Sequence, residues 1–115
     1  CRIINIKPGR VGGLSQAVAI HDYCLSRGVP VWCGGMLETG LGRAANLALA
    51  ALPGFSLPGD ISASDRCYAT DVSDERFKLN PGSTIDVPSG PGLGVTIDTD
   101  ALQNFSLAKL RLAAG

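Results

Sequence analysis

The first 57 residues alternate between short apolar runs and longer segments with apolar positions at helical spacing. An apolar run at 3–6, with β-branched isoleucines at 3, 4 and 6, stops at Lys7, where a proline and a glycine follow directly. A second run, residues 29–32, closes on a pair of glycines at 34 and 35, and a third, very short run covers residues 55–57. The pattern predicts three β-strands.

Two helix-favouring segments separate these strands. Apolar residues recur at helical spacing from a predicted N-cap at Ser15 to Arg27, where Gly28 ends the segment. The alanine- and leucine-rich residues 43–52 predict a second helix, ended by a proline and a glycine. A parallel sheet with right-handed crossovers has this alternation, so Lys7, the 34–38 loop and Asp60 are predicted to converge at one edge.

The alternation is lost after about residue 62. A polar segment to residue 75 predicts a crossing connection, residues 77–79 and 84–87 predict a small antiparallel hairpin, and Asp98 or Thr99 is a predicted cap for a last short helix. Three strands cannot close a barrel and leave both sheet edges unpaired. Because the sequence also begins at Cys1 without an initiator methionine, we expect a piece of a longer protein.

Composition narrows the class of protein. With 115 residues, 45% of them hydrophobic and 17% charged, the chain suits one modest globular domain. Ten basic and ten acidic residues cancel without forming a basic block, so neither nucleic acid nor a membrane surface is a predicted partner. No apolar run approaches the roughly 20 residues of a membrane span, and we expect a soluble, cytoplasmic protein.

Several common types of site are disfavoured by spacing. The glycine-rich residues 90–94 lack a preceding parallel strand, and residues 9–13 lack the spacing of a phosphate-binding loop. The single histidine, His21, lies in mid-helix and is interpreted as a partly exposed helix residue. Glu38, Asp60 and Asp65 are interpreted as caps or ion-pair partners, so no metal site is predicted in this chain.

The cysteines carry no sequence signal for metal or redox chemistry. None of them forms a CxxC motif, and we expect free thiols that behave as small buried apolar residues; they are Cys1, Cys24, Cys33 and Cys67.

Lys7 is the candidate for chemistry. A lysine at the mouth of a semi-buried pocket, near other cationic charge, has a destabilised ammonium and can act as a general base near neutral pH. Removing a proton next to a carboxylate needs such a base and a cation to hold the resulting negative charge. The alternative interpretation is a lysine that extends from a strand end into solvent.

Four segments carry a resemblance to a known family. Residues 6–13, 30–44, 57–64 and 88–95 resemble the muconate-lactonizing subgroup of the enolase superfamily, and within it the o-succinylbenzoate synthases and N-succinylamino acid (N-acylamino acid) racemases. The resemblance implies an α/β fold, a (β/α)7β TIM-like barrel under an α+β capping domain. Residues 1–64 would supply the last three barrel strands with their βα units, and residues 65–115 would return to the cap.

The resemblance also assigns roles to residues. Lys7 falls on the catalytic lysine at the end of the sixth strand, and Gly35, Met36 and Leu37 fall on the loop that lines the substrate pocket. Arg10 is typical of members with racemase activity. The second catalytic lysine and the Mg²⁺ ligands of the family belong to upstream strands, so no metal ligand is assigned here.

The implied function is that of a Mg²⁺-dependent lyase or isomerase that abstracts a proton alpha to a carboxylate. The reaction would be the dehydration that yields o-succinylbenzoate for menaquinone biosynthesis, the racemisation of N-succinylamino acids, or both. The expected partner is a small-molecule carboxylate, and the intact protein is expected to be a homo-oligomer. The alternatives are a dipeptide epimerase or muconate cycloisomerase of the same subgroup, and an inactive fragment or interaction module.

Overall fold

A computed structural model describes residues 1–110 and 112 of the chain. Its regular elements are, in order, β1 (Ile4–Ile6), α1 (Pro8–Val11), α2 (Leu14–Ser26), β2 (Val31–Cys33), α3 (Gly40–Ala50), a 3-10 turn (Ser64–Arg66) and α4 (Thr99–Phe105). The two strands pair in parallel, with Ile4 opposite Val31 and Ile6 opposite Cys33. Parallel pairing brings the carboxyl ends of both strands to the same edge.

The core of this βαβ unit lies between the strands and the helices. Its buried members are mostly aliphatic and small: Ile6, Ala17, Cys24, Val31, Cys33 and Leu49. In α2, the buried positions 17, 21 and 24 follow the spacing of one helical face. Burying each large aliphatic side chain stabilises the fold by about 1.5–3 kcal/mol, which fixes the strand ends that carry the site.

The predicted helices are found with shifted boundaries. The short α1 replaces a predicted loop, because proline suits the first turn of a helix and Gly12, with φ of 96°, ends it. The next helix begins at Leu14, so Ser15 is not its N-cap. The predicted cap at Asp98 is confirmed, since its carboxylate accepts the N–H groups of Asp100 and Ala101 at 3.0 and 2.9 Å.

The prediction of a third strand at residues 55–57 is wrong. In the described part of the chain these residues form no strand. Phe55 N–H bonds back to the Leu52 carbonyl and Ser56 N–H to the Gly54 carbonyl, which continues the turn after α3. A single N–H, that of Leu57, reaches Val31 of β2 at 3.4 Å.

The predicted hairpin is also wrong, although its turn is present. Asn80 N–H bonds the Thr84 carbonyl at 2.8 Å, but neither flanking segment is a strand. Phe77 instead donates to Ser64 Oγ and accepts from Ser64 N–H, so its backbone pairs with the 3-10 turn. The Phe77 ring packs against Ala44 and Leu47 in a second core beside α3.

His21 is buried rather than partly exposed, so its prediction is wrong. Its side chain is 3% exposed, stacks on Phe55 with ring centroids 5.2 Å apart, and accepts the Gly54 N–H at Nε2, 3.0 Å away. The periodicity of α2 places residue 21 between the buried Ala17 and Cys24, so the core face of the helix includes it.

The cysteine predictions are confirmed in part. All four thiols are free, and Cys24 and Cys33 are buried, but Cys67 is half-buried and Cys1 is exposed. None of the helices formed by residues 1–110 and 112 has the length and apolarity needed to cross a membrane.

Candidate functional site

The site is centred on Lys7, directly after β1. Its side chain is 25% exposed, and its Nζ donates to the Gly35 carbonyl at 2.6 Å. The same Nζ lies 3.9 Å from Oδ2 of Asp60. The convergence of the lysine, the second glycine loop and Asp60 at one edge of the sheet, predicted from the βα alternation, is therefore found.

Asp60 closes a ring with Lys7 and Gly35. Its Oδ1 accepts the Gly35 N–H while its Oδ2 faces the lysine. Gly34, the first residue after β2, makes this close approach possible: a Cβ at this position would lie 2.7 Å from both Cγ and Cε of Lys7. The site thus depends on glycine beside the lysine as well as on the lysine itself.

The rest of the glycine loop is held by polar contacts to its backbone. Glu38 accepts the Met36 N–H at 2.7 Å, and the Tyr68 hydroxyl donates to the Leu37 carbonyl at 2.6 Å. The loop side chains are left open to solvent, with Met36 48% and Leu37 76% exposed. A fixed backbone that presents apolar side chains outward can line a binding pocket.

Arg10 contacts Lys7 through the backbone alone: its N–H donates to the Lys7 carbonyl at 2.9 Å. It lies in the last turn of α1 and is exposed, and within the described part of the chain its guanidinium forms no hydrogen bond or ion pair. Of the five predicted site residues, the structure joins the Lys7 side chain to Gly35 directly and to Met36 and Leu37 through the same loop.

A buried ion pair behind the loop was missed by the sequence interpretation. Both oxygens of Asp71 accept the N–H of Gly40, the first residue of α3, at 2.9 Å. Arg43, one turn further along α3, has its Nη1 4.0 Å from Asp71 Oδ2, and both side chains are 1% exposed. Asp71 is 31 positions from Gly40, so no local pattern signals the contact.

A cleft of about 620 Å³ lies on the Asp71 side of the loop. It is lined mainly by residues 67–72, with Thr39 and Phe105 completing the wall. Lys7 does not line this cleft, so the cleft is separate from the lysine site.

The environment of Lys7 also acts on Cys33, the last residue of β2. Burial, the largest cause, acts together with the nearby carboxylates of Glu38 and Asp60 to raise the pKa of the Cys33 thiol to about 11, while Lys7 opposes them. The thiol is 1% exposed. Cys33 is therefore neutral at physiological pH and serves as packing beneath the site.

We expect Cys33 to resist alkylation and to make stability fall at alkaline pH. At pH 8 iodoacetamide should modify the exposed Cys1 but not Cys33 in the folded protein, as read by peptide mass spectrometry. Because the folded-state pKa is raised, the folded state retains the proton longer, and stability is lost as pH rises from about 9 through about 11. The loss is about 2–3 kcal/mol.

Urea unfolding at pH 8 and pH 11 measures this loss. The pH dependence should shrink in Cys33→Ala and persist in Cys1→Ala. An unchanged dependence in Cys33→Ala would contradict the assignment.

The residues of the site do not fit a divalent-cation centre. Among residues 1–110 and 112, no group of three or more His, Cys, Asp or Glu side chains is arranged to hold a metal ion. Asp60 and Glu38 each accept a backbone N–H, and the ammonium of Lys7 lies beside Asp60. A divalent cation prefers several oxygen ligands, and a lysine cation next to one of them opposes its binding.

Known proteins share much of the sequence of this chain. The chain is 59% identical over 109 residues to an N-succinylamino acid racemase from Amycolatopsis sp., covering 95% of this chain and 29% of that protein. It is 50% identical over 105 residues to an o-succinylbenzoate synthase from Bacillus subtilis, covering 91% and 28%.

A solved structure shares both sequence and fold. A member of the enolase superfamily from Listeria innocua is 50% identical with a TM-score of 0.87, over 94% of this chain and 29% of that one. The chain thus spans less than a third of the length of the relatives it matches. Residues 1–101 match the model of the enolase C-terminal domain-like family. With this match over most of its length, the chain belongs to the enolase C-terminal domain-like family, within the enolase superfamily.

Proposed function

We propose that the complete protein carrying this chain is an o-succinylbenzoate synthase, an N-succinylamino acid racemase, or an enzyme with both activities. Each reaction removes a proton alpha to a carboxylate of a small-molecule substrate. The observation that carries the proposal is the position of Lys7, at the carboxyl end of β1 and in contact with the glycine loop. The names of the relatives at 59% and 50% identity support it.

Lys7 is the proposed proton-transfer group. In racemisation its Nζ would give or take the proton on one face of the alpha carbon, since a positioned side chain of suitable basicity transfers protons efficiently. In dehydration its ammonium would mainly stabilise the negative charge that develops on the substrate carboxylate. Contact with the Gly35 carbonyl limits the positions open to Nζ, which favours a defined orientation toward a bound substrate.

Gly35, Met36 and Leu37 are the proposed substrate-binding residues, together with Arg10. The exposed Met36 and Leu37 side chains would cover the apolar part of the substrate, and the exposed guanidinium of Arg10 would attract its carboxylate. Paired carboxylates suited to the amino group of a dipeptide are not found at residues 58–61, where Asp60 is the one acidic residue. We therefore favour an acylated over a free amino group in the substrate.

Members of this superfamily typically use Mg²⁺, which supplies charge stabilisation for the substrate carboxylate. We propose that its ligands lie in the part of the complete protein outside residues 1–115, because this chain covers 29% of the racemase from Amycolatopsis sp.. Residues 1–64 are proposed to supply the C-terminal βα units of a (β/α)7β barrel, and residues 65–115 to join a capping domain. A cytoplasmic homo-oligomer remains the predicted form of the intact enzyme.

Assay of the complete protein tests the proposal. With Mg²⁺ present we expect dehydration of the cyclohexadiene precursor of o-succinylbenzoate, racemisation of N-succinylamino acids, or both. Exchange of the alpha proton in deuterium oxide, followed by NMR, should accompany racemisation. A dipeptide and muconate serve as comparison substrates. Turnover of the dipeptide or of muconate, with no activity on either of the two expected substrates, would overturn the proposal.

A further inference from the structure

One carboxylate serves both the lysine and the loop. Asp60 Oδ1 accepts the Gly35 N–H, and Oδ2 lies 3.9 Å from Lys7 Nζ, which itself donates to the Gly35 carbonyl. The three groups form a closed ring in which each member contacts the other two. Displacing Asp60 would release the loop and would remove the nearest negative charge from the lysine.

We propose that Asp60 is a positioning residue that fixes the Lys7 ammonium and the Gly35 backbone in one arrangement for alpha-proton transfer. This inference rests on the proposed function of Lys7. Asp60 acts through the lysine and the loop and does not itself touch the substrate.

The surrounding charges make Asp60 the main electrostatic partner of Lys7. Glu38, on the same loop, accepts the Met36 N–H with one carboxylate oxygen. The Cys33 thiol at the end of β2 is neutral. Arg10, at the end of α1, makes no ion pair among the described residues. The Asp60 carboxylate, 3.9 Å from Nζ, is therefore the charged group that can hold the Lys7 ammonium in place.

An ordinary surface ion pair is the competing explanation. The Asp60 side chain is 54% exposed, and exposed pairs have small effects because water and salt screen them. The backbone argues for more than a surface pair: a Cβ on Gly35 would lie 3.1 Å from the Asp60 carbonyl, and a Cβ on Gly59 would lie 2.8 Å from the Cys33 carbonyl. Because both positions are glycine, the backbone of residues 59 and 60 packs closely against the end of β2. This close packing holds the Asp60 carboxylate in place.

Two replacements in the complete protein separate charge from orientation. Asp60→Asn keeps an oxygen for the Gly35 N–H but removes the charge. Since the contact with the loop is kept and a single screened charge contact is lost, we expect KM for alpha-deuterium exchange to stay within about twofold and kcat to fall by about threefold. Asp60→Ala also frees the loop, and we expect kcat to fall about tenfold or more beyond the effect of Asp60→Asn.

Asp65→Asn is the matched control, because Asp65 is an exposed aspartate five positions further along the chain. It should leave kcat and KM unchanged. The inference is overturned if Asp60→Asn and Asp60→Ala both leave kcat intact while Lys7→Ala is inactive. Full activity of Lys7→Ala would instead overturn the proposed function, so the two failures are distinguishable.

Discussion

Replacement of Lys7 with alanine in the complete protein is expected to abolish alpha-proton exchange and racemisation. Loss of a positioned acid or base costs roughly 10²–10⁴-fold in rate. The ammonium of Lys7 is the only lysine group in contact with the glycine loop among the residues that the structure describes. Dehydration should also fall, because the charge that stabilises the substrate carboxylate is lost. Deuterium exchange followed by NMR measures the loss of alpha-proton exchange, and polarimetry measures the loss of racemisation.

Lys7→Arg distinguishes the two proposed roles of the lysine. Arginine keeps the positive charge but does not release a proton at physiological pH, so it cannot act as a base. We expect Lys7→Arg to lose racemisation as fully as Lys7→Ala while retaining part of the dehydration activity. Equal loss of both activities would argue against a charge-stabilising role in dehydration.

Lys78→Ala is the control for these variants, since Lys78 is exposed and lies away from the loop. Its activities should match those of the unmodified protein. Racemisation that survives in Lys7→Ala at the unmodified rate would remove Lys7 from the mechanism.

The meeting of Lys7 with Gly35 and Asp60 could be predicted because it follows from topology. Consecutive βα units with right-handed crossovers bring the ends of their strands to one edge, whatever the detailed side-chain packing. The prediction did not require a regular third strand: residues 55–57 form none, yet Asp60 still reaches Gly35. The return of the chain toward the sheet after α3 is therefore sufficient to predict that Asp60 lies near Lys7 and Gly35.

The contacts behind the loop could not be predicted, because they join distant parts of the sequence without a local pattern. Tyr68 reaches Leu37 across 31 positions, and Asp71 reaches Gly40 across the same separation. The polar segment that contains Tyr68 and Asp71 has no periodicity, so its sequence predicts only a crossing connection. The start of α3 shows the consequence: the helix begins three residues before the predicted position, where Asp71 accepts the N–H of Gly40.

Asp71 and Arg43 are expected to make the largest polar contribution to stability. Asp71→Asn should destabilise the protein by about 3–5 kcal/mol, because it leaves the Arg43 guanidinium buried without a compensating charge. The guanidinium depends on this partner: its Nη1 forms no hydrogen bond among the described residues, and its Nη2 reaches Ser62 Oγ only at 3.4 Å. Urea unfolding of the complete protein gives the measurement.

Arg43→Met should cost less than Asp71→Asn, although both remove the same ion pair. Without Arg43, the Asp71 carboxylate still accepts the N–H groups of Gly40 and Val72 at 2.9 and 2.7 Å, and it lies at the N-terminus of α3, where negative charge is favoured. The double variant should be more stable than the sum of the single effects predicts, by about 0.5–3 kcal/mol, because it leaves no unpaired buried charge. Arg66→Met, at an exposed arginine of the 3-10 turn, should change stability by no more than about 0.5 kcal/mol. Additive single effects would mean that Asp71 stabilises α3 through its hydrogen bonds alone. Equal costs for Arg43→Met and Asp71→Asn would contradict the expected difference between the two buried charges.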